Sequence, residues 1–178
     1  MSDSSKLTAF AVAWLAAAAL LVPPAEAQAP GGGNPKLVGQ FGDWGVYVNE
    51  SQKNKVCFAL SQPRERLPAN LNRDPGYIFI STRPADNVRN EFSAIVGYPL
   101  DESVDPSVQV GSDKFALYAR QSGAWIRNVA EEARLIDAMR KGSDLEMKST
   151  SARGNETTDR YSLSGVTQAL DRAAKECS

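Results

Sequence analysis

The chain has 178 residues, with 20 Lys+Arg against 21 Asp+Glu and no histidine. Without an imidazole there is no Ser-His-Asp or Cys-His catalysis, no His-ligated zinc and no usual general base near neutral pH. The balanced, scattered charge lacks the basic footprint of a nucleic-acid binder and the polybasic run that recognises anionic lipid.

Residues 1–27 read as a signal peptide. Lys6 supplies a positive start, Ala9 to Val22 is continuously apolar, and Ala25-Glu26-Ala27 offers small residues flanking a cleavage point between Ala27 and Gln28. The apolar run is shorter than the ~20 residues that span a bilayer, and no cysteine follows the cleavage point. The expectation is an exported, periplasmic chain whose mature part has no integral membrane segment and, without Lys6, Asp3 and Glu26, no formal net charge. Residues 28–36, containing three consecutive glycines and two prolines, read as a flexible linker. Residues 37–178 remain as one domain, long enough for a real core.

The domain alternates with period two. Trp44, Val46 and Val48 share one strand face. Val56, Phe58 and Leu60 lie on one side of the next strand and Cys57, Ala59 and Ser61 on the other, with a polar turn between the two strands. Pro63 to Pro75 reads as a loop. Tyr77 to Thr82 is apolar on nearly both faces, as in a central strand. Phe92, Ala94, Val96 and Tyr98 share a face. Pro99 to Asp113 reads as an acidic loop with one short strand near Val108, and Phe115, Leu117 and Ala119 resume the alternation. Leu145 and Met147 point inward on one late strand, Tyr161 and Leu163 on its partner.

Two segments change period. Ala133, Ile136 and Arg140 follow Val129 at helical spacing, with Leu135 and Met139 widening the stripe. This predicts a helix over 129–141, with Asn128 as N-cap, acids in its first turn, bases in its last and Gly142 just beyond. A C-terminal helix capped by Ser164 presents Val166, Leu170, Ala173 and Cys177 on one face. The two helices and about seven to eight strands predict a mainly β fold, an antiparallel β-sandwich.

Cys57 and Cys177 are the only cysteines. In an oxidising compartment an even count reads first as one disulfide, with buried thiols or an intermolecular bridge as the alternatives. The small side chains beside Cys57 would let the last helix approach closely enough for Cys177 to reach it. Two sulfurs cannot complete a structural zinc site.

No other constellation asks for chemistry. Trp44, Tyr98 and Trp125 are the candidate binding residues, although Trp44 after Phe41-Gly42-Asp43 also reads as a core residue and Tyr98 before Pro99 as a strand exit. Glu131 and Glu132 are helix neighbours that point apart. Asp101, Glu102 and Asp105 do not match the calcium-loop spacing. No catalytic residue, metal or cofactor is expected.

Several short motifs, taken in order, carry a resemblance. They are Phe41-Gly42-Asp43-Trp44, Val56-Cys57-Phe58, Gln62-Pro63, Arg83-Pro84, Gly97-Tyr98-Pro99, Trp125, Ala138-Met139-Arg140-Lys141-Gly142, Arg153-Gly154, Tyr161-Ser162-Leu163-Ser164-Gly165 and Cys177. Together they resemble the invasion-associated locus B (IalB-like) family of alphaproteobacteria over 37–178. The resemblance implies a β-rich, periplasmic or surface-associated protein from a family linked to entry into host cells, and it transfers no catalytic residue. The expected function is non-enzymatic binding of an envelope or host partner. The alternative is a small-ligand or glycan-binding module with Trp44, Trp125, Tyr47 or Tyr118 as stacking platform.

Overall fold

In the computed structural model, residues 34–51 and 54–178 are described. The predicted signal peptide, its cleavage point and residues 28–33 of the linker lie outside them.

The described residues form eleven strands, most of them built on alternating apolar and polar side chains. They are β1 (Lys36–Phe41), β2 (Trp44–Glu50), β3 (Lys55–Ser61), β4 (Glu65–Leu67), β5 (Tyr77–Arg83), β6 (Val88–Ile95), β7 (Ser107–Val110), β8 (Asp113–Arg120), β9 (Gly123–Ile126), β10 (Asp144–Thr150) and β11 (Glu156–Ser162). The helices are α1 (Glu132–Lys141) and α2 (Val166–Glu176). The strands form one antiparallel sheet in the order β1-β2-β3-β5-β6-β9-β8-β7-β10-β11-β4.

The sheet bends back on itself at β8. Asp113 to Ala116 pair with β7, whereas Leu117 to Arg120 pair with β9. The two walls enclose one core containing Trp44, Ile80, Phe92, Leu117, Leu145 and Tyr161. The Trp44 indole N–H donates to the Ser162 carbonyl at 3.0 Å, tying β2 across the core to the end of β11. The mainly β, antiparallel class thus holds, with the sandwich walls joined into a single sheet of eleven strands rather than seven to eight. The additional strands carry little alternation: β1 contains Gly39, β4 has three residues within the expected loop, and β9 has four.

Helix α2 lies over β1, β2 and β3. It buries Val166, Ala169, Leu170 and Ala173, and its floor includes the small buried residues Cys57, Ala59 and Ser61. Cys57 and Cys177 form a disulfide with Cα atoms 5.9 Å apart. The small floor and the intramolecular bridge both follow the alternation of β3.

The helix ends depart from expectation. Ser164 does not cap α2. Gly165 occupies the N-cap with φ +91°, and an added Cβ there would lie 2.0 Å from the Phe41 carbonyl oxygen. Close approach to β1 therefore sets that residue. Asn128 does accept from the Ala130 N–H at 3.1 Å, but it caps a 3-10 turn over Val129–Glu131 that precedes α1. Val129 falls in that turn, off the apolar stripe, and is 74% exposed. Gly142 is extended rather than left-handed; a Cβ there would meet Val110 Cγ1 at 2.5 Å.

Candidate functional site

Because β-strand side chains alternate, the residues between those of the core point to the opposite face. There the register aligns Gly45, Leu60, Phe79, Ser93, Trp125 and Tyr118 across six neighbouring strands. The adjacent row carries Tyr47, Phe58, Ser81 and Glu91. Ring contacts connect Tyr47 to Phe58 at 5.4 Å, Phe58 to Phe79 at 5.8 Å and Phe79 to Tyr77 at 6.0 Å. Tyr118 and Trp125 form a separate stacked pair with centroids 5.7 Å apart. Both helices pack on the core side, α2 through Cys57 and α1 through Leu135, Ile136 and Met139. On the aromatic face only the start of α1 and the turn before it, through Glu132 and Val129, border the rings, at the Trp125 end.

Glycine positions two of these rings. A Cβ on Gly123 would lie 2.3 Å from Trp125 Cη2, so the indole folds down over the glycine two residues earlier in its own strand. Tyr47 leans over Gly45 in the same way, with Cε2 2.8 Å from the corresponding point.

At the Trp125 end lies a cleft of about 430 Å³ lined by Arg89, Glu91, Tyr118, Trp125, Arg127 and Glu132, among others. Arg83 holds the Glu91 carboxylate with two bonds, 2.7 and 3.1 Å. Glu132 Oε1 accepts from the Phe92 N–H at 2.7 Å. Burial pushes the Glu132 carboxyl above the usual glutamate range, although that hydrogen bond opposes the shift. Arg127 pairs with Asp105, whereas Arg89 has no ion-pair partner among the described residues.

The three candidate binding residues separate. Trp125 lines the cleft. Trp44 is fully buried, and its N–H is satisfied, so it is a core residue. Tyr98 is half-buried; its hydroxyl contacts Ser149 Oγ at 2.9 Å and Thr157 Oγ1 at 2.5 Å, within a network that ties it to β10 and β11. Tyr118 joins Trp125 through cross-strand register, a relation visible only once β8 and β9 are paired.

A polar cluster that no local motif announces lies near the β4 edge of the sheet. Asp159, 2% exposed, binds Arg66 at 3.2 Å and Arg73 at 3.0 Å. Arg66 also donates to the carbonyls of Asp74 and Val96, both at 2.7 Å. Burial raises the Asp159 carboxyl above its usual range while both guanidinium groups pull it down. Burial likewise pushes the neighbouring Tyr161 phenol well above its ordinary value. These bonds fasten the Pro63–Pro75 segment and β4 to β11 and to the end of β6, a structural role. In the acidic loop, Asp101 Oδ1 accepts from the Ser103 N–H and hydroxyl, so this carboxylate serves its own turn. Among the described residues no three acidic or thiol groups gather to hold a metal ion, and no helix is long and apolar enough to cross a membrane.

A family model described as "Invasion associated locus B (IalB) protein" matches residues 44–174. Neither a curated protein nor a solved structure matches the chain.

Proposed function

The chain belongs to the invasion associated locus B family, and from that premise we propose that it is an exported, non-enzymatic protein that acts by binding an envelope or host partner. One observation carries the reading: a sheet face bearing Tyr47, Phe79, Tyr118 and Trp125 lies opposite the core on which both helices pack, with only the start of α1 and the turn before it bordering Trp125. Aromatic residues grouped on an uncovered face mark contact surfaces, since they offer large, rigid, amphipathic area. The sequence supports export through residues 1–27, and the disulfide agrees with an oxidising compartment.

A photo-cross-linking amino acid at Tyr118 tests the contact, with one at Lys148 on β10 as control. In whole cells, discrete adducts are expected from position 118 alone. Equal adducts from both positions, or none from 118 in folded protein, would refute a protein partner at this face. Fractionation tests export: recovery of the full-length chain, uncleaved, in the cytoplasm would overturn that part.

A further inference from the structure

We infer that the cleft beside Trp125 binds a neutral pyranose, free or as one residue of a glycan, which deepens the contact reading above and rests on it. A pyranose has a flat C–H face and a rim of hydroxyls that both donate and accept. It therefore needs an aromatic plane beneath it and mixed hydrogen-bonding groups around it. The cleft supplies both. Trp125, folded over Gly123, provides one aromatic plane, and Tyr118, stacked against it with its ring 24° from the indole, presents a second. Val129, exposed in the turn before α1, adds an apolar wall. The volume of about 430 Å³ falls within the range of small-ligand sites.

Charge distinguishes the sugar from other flat ligands. Two guanidinium groups, Arg89 and Arg127, and two carboxylates, Glu91 and Glu132, line the cleft. A phosphate, sulfate or uronate chain would meet the carboxylates, and a cation would meet the arginines. Hydroxyl groups satisfy either kind. Arg89 forms no ion pair among the described residues. Glu91 is held in place from outside the cleft by Arg83, which fixes an acceptor before any ligand arrives.

The mature protein contains Trp44 and Trp125, and Trp44 is fully buried, so acrylamide quenching of indole fluorescence reports Trp125. The probes are hexasaccharides of α-1,4-glucose, β-1,4-glucose and β-1,4-N-acetylglucosamine, with polygalacturonate as the charged comparison. At least one neutral hexasaccharide is expected to protect Trp125 saturably and independently of salt. Tyr118→Ala should weaken that binding about tenfold with the thermal midpoint little changed, since Tyr118 packs outside the core. Arg89→Ala should weaken it as well. The inference is overturned if no neutral sugar protects, if polygalacturonate protects better and salt abolishes it, or if both variants bind like the parent. Protein adducts at position 118 without sugar protection would sink this inference alone. Sugar protection without protein adducts would support it and shift the partner from protein to glycan.

Discussion

Removing the disulfide is expected to cost about 5 kcal/mol. The perturbation is the double substitution Cys57→Ala with Cys177→Ala, compared with the oxidised parent. The bridge spans a sequence separation of 120. In the chain-entropy account, closing a loop of that length removes about 16 cal/mol/K from the unfolded ensemble, or about 5 kcal/mol at 25 °C. Typical domains have only about 5–15 kcal/mol in total, so the loss is a large fraction of the whole. With a urea m-value of about 2 kcal/mol/M, the midpoint should fall by roughly 2.5 M. Equilibrium urea unfolding followed by Trp44 fluorescence measures this, because that indole bridges β2 and β11 in the core. Native-state hydrogen exchange adds a second readout. Without the bridge, α2 should exchange at a lower opening energy than β5 or β6, since the covalent tie of its end to β3 is gone. A midpoint within about 0.5 M of the parent would refute the reasoning, because the entropy term would then be offset by structure retained in the unfolded chain.

Asp159→Asn should destabilise by about 3 kcal/mol in the same assay, since it leaves the Arg73 side chain, 6% exposed, and the partly exposed Arg66 beside an uncharged partner; a cost below about 1 kcal/mol would show that the cluster is dispensable. Gly165→Ala should cost more than about 2 kcal/mol, because positive φ and a 2.0 Å approach to the Phe41 carbonyl act together, whereas Gly111→Ala, with φ +55° and nothing within 4 Å, should cost about 1; equal thermal shifts would contradict this. Glu132→Gln should become progressively more stable than the parent as pH rises. The raised carboxyl binds its proton more tightly in the folded chain, so the parent loses stability through a window just above the usual glutamate range, and glutamine can still accept from the Phe92 N–H. Thermal melts from about pH 4 to pH 7 check this, and a constant difference between the two proteins would refute it.

Side-chain periodicity made much of the fold legible. The faces of β2, β3, β6 and β10, the stripe of α1 and the small floor under α2 all follow from alternation or helical spacing, and with them the partnership of Cys57 and Cys177. What escaped depends on groups far apart in the chain. β4 is held by Arg66 reaching Asp159, 93 positions away, and no local pattern announces such a bond. Gly165 reads as an ordinary residue after a serine until β1 is placed against it. The site divides in the same way. Trp125 stood out as an aromatic residue near a turn, but its pairing with Tyr118 and the cleft under Val129 depend on the register of β6, β9 and β8. The tryptophan beside Gly42-Asp43 has the same chemistry as Trp125 and the opposite fate, because its strand phase points it inward. Residue type suggested what could bind; only strand phase and pairing decide which of these groups meets solvent.

The split pairing of β8 has a consequence for recognition. Its first half pairs with β7 and its second half with β9, so one strand carries the backbone from one wall into the other. The rings opposite the core ride on strands held in register by backbone ladders, and that register sets their spacing. A ligand on that face would meet rings already spaced by the sheet, so the ordering cost of binding there would be small.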